Sequence, residues 1–184
     1  MSATGKVAFL VASEGIEQVE LTEPWKAVEA AGLQPVLLSP GSEPVQAFQH
    51  LDKADTFPVD QTLADADHSE FAGLVLPGGV ANPDALRTDV DAVAFVTAFL
   101  RSPRPVAAIC HASWTLVETG LLSGRALTSW PSLRTDLVNA GAEWQDSELV
   151  VDRNGEGALI TSRNPDDLPA FCEAVVTEMR ASAT

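Results

Sequence analysis

Cys110 and His111 sit where the chain changes from a strand-like to a helix-like pattern. Pro105 and the apolar run Val106 to Ile109 read as a buried strand, with proline in a strand's first position. From His111 onward, Trp114, Leu116 and Val117 among Ala, Ser, Thr and Glu read as a helix that stops at Gly120. No loop separates the two, so Cys110 falls on a sharp strand-to-helix turn, a nucleophile elbow with Cys in place of Ser. A thiol there stands at the carboxyl edge of a sheet, over the free N–H groups of the next helix. Those groups and the helix dipole favour a thiolate and predict a thiol pKa below the free-cysteine range. The alternative is a buried structural cysteine, since Cys is among the most buried residue types.

Two further groups fall at strand ends. Pro24 cannot bond back to the carbonyl of Glu20, which puts Glu20 near the start of a helix. Glu17 and Glu20 then lie three apart at the carboxyl edge of the first strand. Their other reading is favourable charge at a helix N-terminus. Gly78 and Gly79 close another strand, where a Gly-Gly pair lets backbone approach a ligand or form an anion-binding turn. Ordinary turns use the same pair, and the dinucleotide fingerprint G-x-G-x-x-G is not present. His50 has no metal-ligand partner near it in sequence and reads as a surface or packing residue. Neither a metal nor a cofactor is expected.

The elements that must position these groups alternate. Lys6 to Ala12 reads as a first buried strand with a tight turn at Ser13-Glu14-Gly15, followed by a helix with Leu21, Trp25 and Val28 ending at Gly32. Gln34 to Leu38 is a second strand, residues 42 to 60 a hairpin or excursion, and Gly73 to Leu76 a third strand. A helix follows Gly79, then an amphipathic run from Val90 to Phe99. Beyond the elbow come a strand at Arg125 to Thr128 and a short helix from Ser132 to Asn139. Two β pieces, Leu149 to Asp152 and Ala158 to Thr161, join at Asn154-Gly155. A last helix spans about 166 to 179, with Cys172 on its buried stripe. Strand–helix alternation predicts an α/β sandwich with a mostly parallel sheet, whose ligands bind at the carboxyl strand ends. Glu17, Glu20, Gly78, Gly79 and Cys110 all meet that rule.

The 184 residues are expected to form a single domain with a full core. The net charge of −15, with only 11 Lys and Arg, argues against direct nucleic-acid binding. Two cysteines are too few for a disulfide scaffold, and the apolar run at Val7 is too short for a signal-peptide core or a membrane span. A cytoplasmic protein that binds no membrane is expected.

The segments L-V-L-P-G-G (74–79), A-I-C-H-A (108–112) and E-x-x-E-L (17–21) together resemble the PfpI-type intracellular proteases of the DJ-one superfamily. T-S-W-P-S-L (128–133), N-A-G-A-E-W (139–144) and S-R-x-P-D-D-L-P-A-F (162–171) extend the resemblance over nearly the whole chain. It implies a flavodoxin-like sandwich, close to class I glutamine amidotransferase domains, with helices on both faces of the sheet. It also implies Cys110 as nucleophile, Glu20 as its supporting acid, and the backbone N–H groups of Gly79 and His111 as oxyanion donors. His111 would be the base, oriented by Asp84 from a neighbouring subunit of a homo-oligomer. Glu17 and Gly78 would support the site. The amidotransferase reaction is disfavoured, because that reaction needs a histidine late in the chain and none of His50, His68 and His111 follows the elbow.

Three readings of function remain. In the first, Cys110 attacks a small carbonyl substrate, for which the resemblance implies 2-oxoaldehydes such as methylglyoxal or their protein adducts, or peptides. In the second, oxidation of Cys110 is sensed by a partner. The third is a holdase or a purely structural homologue. Adjacent residues on a helix do not face each other, so His111 reaches Cys110 only through a distorted elbow. With a shallow site and no recognition loop, peptidase activity is expected to be weak or absent.

Overall fold

Four apolar runs become the middle of a seven-stranded sheet in the computed structural model, which describes residues 5–183. These are β1 (Lys6–Leu10), β3 (Gln34–Ser39), β7 (Gly73–Leu76) and β8 (Val106–Ile109). They are flanked by β6 (Gln61–Thr62) on one side, and by β12 (Leu159–Ser162) and β11 (Val150–Asp152) on the other. The order is β11-β12-β8-β7-β1-β3-β6, parallel except for the β11–β12 pair.

The strands are continuously apolar because both sheet faces are covered. Along β1, Ala8 and Leu10 enter one core while Val7 and Phe9 enter the other; β8 divides in the same way, with Ala108 opposite Ala107 and Ile109. Helices α1 (Gln18–Ala30) and α6 (Leu168–Ser182) cover one face through Leu21, Val28, Phe171 and Val175. The other face is covered by α3 (Val90–Leu100), α4 (Ser113–Val117) and α5 (Arg134–Asn139) through Phe95, Phe99, Leu116 and Leu137. Helix α2 (Ala81–Leu86) follows β7 at the carboxyl edge. The fold class is the expected one.

The smaller elements differ from expectation in instructive ways. Residues 13–15 do not make a simple tight turn. Glu14–Glu17 is itself a strand, β2, which pairs in parallel with β4 (Val45–Gln49). Strand β4 forms an antiparallel hairpin with β5 (Asp52–Phe57), so the irregular 42–60 region is a hairpin on a separate three-stranded sheet. The strand at 125–128 shrinks to β9 (Ala126–Leu127), paired with β10 (Glu143–Trp144). Between β11 and β12 the chain makes a loop rather than a tight turn at Asn154-Gly155. The buried Arg125 guanidinium is the reason: it pairs with Asp152 and donates to the Gly157 carbonyl, and the loop wraps it. Cys172 is half-buried at the edge of the core, where burial first and Glu23 second push its thiol up to about 11. No helix among the described residues is long and apolar enough to cross a membrane.

Candidate active site

Among the described residues only Cys110 and His50 combine a side chain with positive φ, at 63° and 56°. Such a conformation costs on the order of 1–3 kcal/mol and persists where surroundings hold it. At Cys110 the preceding strand is fixed by β7 on one side and β12 on the other, and the Cys110 carbonyl accepts from the Trp130 N–H at 3.1 Å. The left-handed turn brings His111 Nδ1 to 3.2 Å from Cys110 Sγ, a contact that a regular helix denies to neighbours in sequence. His111 is buried, its ring stacked on Trp130 at 5.5 Å and tilted against Trp114 at 5.3 Å. Burial lowers its pKa, so the ring is a neutral imidazole at physiological pH.

The thiol does not behave as the elbow alone predicts. Burial pushes the Cys110 pKa up, the neighbouring Glu20 pushes it further when ionised, and the N–H groups of Gly79 and His111 only partly offset this. The dipole behind the expectation is weak, because the elbow continues as a single 3-10 turn (Cys110–Ala112) and the five residues of α4. A neutral thiol replaces the expected thiolate.

Glu20 lies in the first turn of α1 and is fully buried, so it is not a solvated N-terminal charge. Burial is the main cause that raises its pKa, to about 8; the Cys110 thiol opposes the rise, Glu17 adds to it, and the Gly78 and Gly79 backbones oppose it. Neither carboxyl oxygen closes a hydrogen bond of ordinary geometry. A protonated carboxyl beside a protonated thiol is therefore the state at neutral pH.

Gly78 and Gly79 are required by space. A Cβ on Gly78 would run into Glu20 Oε2 and approach Cys110 Cβ to 2.7 Å. Gly79 has φ +84°, and its Cβ would strike the Gly15 carbonyl and come within 2.7 Å of Glu17 N. The turn is pinned by Asn82, whose role sequence reading missed. Its Oδ1 accepts from Ala12 N–H at 2.7 Å, and its Nδ2 donates to the carbonyls of Pro77 at 2.9 Å and Gly78 at 3.1 Å. A fully buried amide thus ties the end of β1 to the Gly-Gly turn. The available signal was one Asn in an otherwise apolar helix start.

The expected shallow site is instead a cavity of about 400 Å³ above Cys110. Cys110, His111, Glu20 and Gly79 line it, and its other walls are mostly apolar: Phe48, Leu51, Val80, Ala81, Trp130 and Pro165. His50 is exposed, as its reading as a surface residue expects, and it stands at the rim of this cavity. The β4–β5 hairpin folds back over the sheet edge and delivers it there. Glu17 holds the hairpin tip, its Oε2 accepting from the His50 backbone N–H at 3.0 Å. Asp84 is exposed on α2 and makes no bond to His111 within this chain. Cys110, His111, Glu20, Glu17, Gly78 and Gly79 thus come together, and Asp84 stands apart.

The sequence model of the DJ-1/PfpI family matches residues 5–178. "Putative cysteine protease YraA" of Bacillus subtilis is 40% identical over 90% of this chain and 93% of its own. General stress protein 18 of the same organism is 38% identical over 91% of this chain and 94% of its own. A solved two-domain protein of Anabaena variabilis, with DJ-1/ThiJ/PfpI-like and ferritin-like domains, superposes with a TM-score of 0.87 at 34% identity. The match covers 95% of this chain and 48% of that one. Schizosaccharomyces pombe DJ-1 shares the fold with a TM-score of 0.80 over 96% of each chain, at 21% identity. This chain, with its Cys110 elbow facing a Gly-Gly turn, belongs to the DJ-1/PfpI family.

Proposed function

We propose that the protein is a cysteine-dependent enzyme that converts 2-oxoaldehydes, free or as protein adducts, to 2-hydroxy acids. The observation that carries this reading is the fully buried Glu20 carboxyl and the buried Cys110 thiol packed against the same Gly78 turn, where burial favours the protonated form of each. Attack on an amide calls for a thiolate–imidazolium pair. Here burial works against both of its ions, pushing the thiol up and the imidazole down. An aldehyde is a better electrophile and accepts a thiol whose proton leaves as the bond forms.

Sγ adds to the aldehyde carbon while His111 Nδ1, at 3.2 Å, takes the thiol proton. The carbonyl oxygen is steered by the N–H groups of Gly79 and His111 and takes a proton from Glu20. The resulting Glu20 carboxylate removes the hydrogen from that carbon and returns it to the neighbouring oxo carbon, whose oxygen takes the proton held on His111, while the hydroxyl of the first carbon gives its proton back to Glu20 and becomes the thioester carbonyl. One carbon is oxidised and the other reduced, so the rearrangement needs no external oxidant. Water then cleaves the thioester, releasing the 2-hydroxy acid and restoring the thiol.

A specific observation favours peptide hydrolysis as the second reading. His111 does reach the sulfur, and the cavity could seat an apolar side chain. The deciding experiment measures lactate release from methylglyoxal alongside hydrolysis of peptide anilides. Release should vanish in Cys110→Ala and fall by roughly two orders of magnitude in Glu20→Ala. Equal acid release by wild type and Cys110→Ala would end the enzyme reading.

The same proposal includes a homo-oligomer in which Asp84 of one subunit orients His111 of the next. With Nδ1 turned to sulfur, His111 keeps Nε2 for such a carboxylate. Light scattering at micromolar concentration should give at least a dimer, and Asp84→Asn should lower turnover about tenfold without dissociating it. A clean monomer with wild-type turnover would remove Asp84 from the site.

A further inference from the structure

We infer that the substrate carries a bulky apolar substituent, branched alkyl or aryl, on its oxo carbon; this rests on the aldehyde reading above and narrows its substrate class. Methylglyoxal would leave most of a 400 Å³ cavity empty, since cavities of this size take ligands of many more heavy atoms. The polar groups are few and placed for the chemistry. Cys110, His111 and Glu20 face the reacting carbons, and Glu17 and His50 belong to the hairpin side.

Apart from the Trp130 indole N–H, the side chains of the remaining walls carry no hydrogen-bonding or charged group. Three of them, Leu51, Val80 and Trp130, are also among the few large hydrophobic residues left exposed, at 94%, 56% and 37%. Large exposed apolar side chains gathered at one cavity mark a binding surface. What they reward is apolar area withdrawn from water, at about fourfold in affinity per buried methylene. The substituent takes no part in the bonds made and broken, so the carbon-to-carbon proton transfer proceeds as for methylglyoxal.

The test compares kcat/KM for isobutylglyoxal and methylglyoxal, read as release of the two 2-hydroxy acids. The branched substrate should be favoured at least tenfold in the wild-type protein. Leu51→Ser and Val80→Ser, both at solvent-exposed positions that should not disturb folding, should each cut that preference several-fold, mainly through KM. A wild-type preference at or below one, or a preference untouched by both substitutions, overturns the inference while leaving the aldehyde reading intact. So does a change of oligomeric state in the two variants without a change of preference, which would assign the apolar rim to a second copy of the chain. Hydrolysis of a leucine anilide faster than either aldehyde would give the cavity to a peptide side chain instead. Absence of any Cys110-dependent aldehyde turnover would end both readings.

Discussion

Gly79→Ala should lose at least about 3 kcal/mol of stability and nearly all turnover, whereas Gly120→Ala should cost only about 1 kcal/mol. Both glycines have positive φ, at +84° and +68°, so an alanine pays the left-handed backbone cost at either position. They differ in what surrounds them. Nothing lies within 4 Å of a Cβ built on Gly120. At Gly79 the added methyl meets the backbone of Gly15 and Glu17, which belongs to β2 and cannot swing aside as a side chain can. Strand β2 must move off the turn, and with it Glu17 and the hairpin tip it holds. The Gly79 N–H faces Sγ, and if it serves as an oxyanion donor, as the proposed chemistry requires, its loss costs a factor of about 10² to 10³ in rate. Urea unfolding of the two variants, with turnover measured in parallel, checks both numbers. Equal stability losses at the two positions would mean that the turn is not held against β2.

The parts of the molecule legible in its sequence are those that depend on burial along one element. Strands β1, β3, β7 and β8 were readable because each is covered on both faces and so is apolar without interruption. Their ends locate Glu20, Gly78, Gly79 and Cys110, since ligands meet a parallel sheet at its carboxyl edge. What could not be read depends on how separate elements fold onto one another. The sequence allows a hairpin or an excursion at 42–60 and the structure has the hairpin, but the parallel pairing of β4 with β2 that hangs it on a separate sheet rests on backbone bonds that leave no apolar pattern. His50 reaches the cavity only because that hairpin turns back over the sheet edge. The Cys110–His111 contact depends on a single backbone angle, and the direction of the thiol shift depends on how completely the site excludes water. Helix-terminal dipole and desolvation compete at every elbow cysteine; here the helix is short and the burial nearly complete, so desolvation prevails.

Glu20→Gln should make the protein more stable than wild type at pH 8.5, and the advantage should fade as the pH falls toward 4.5. The Glu20 carboxyl holds its proton up to about pH 8 in the folded protein, whereas in the unfolded chain it ionises near its ordinary 4.5. Between those values the unfolded state releases a proton that the folded state keeps. Wild-type stability is therefore undiminished by this group below pH 4.5. It falls by about 1.4 kcal/mol per pH unit above that, and the loss is complete once pH passes through the folded pKa. The full swing amounts to as much as about 5 kcal/mol, large beside the 5–15 kcal/mol of an ordinary domain. Burial keeps Cys110 protonated in the folded protein across the window, and its contribution, confined to the top of the window, is common to both proteins and cancels in the difference. Gln has the size and polarity of the protonated acid but cannot ionise. Subtracting the two curves isolates the part of the pH dependence that Glu20 brings. Turnover should respond in the opposite sense. Under the proposed mechanism the variant lacks the Glu20 proton relay at every pH, and wild-type activity should decline above about pH 8, where an ionised Glu20 repels negative charge on sulfur. Denaturant unfolding of both proteins from pH 4.5 to 8.5 measures the difference directly. If the two stability curves run parallel, Glu20 titrates as an ordinary carboxylate, and the protonated-acid chemistry assigned to it is wrong.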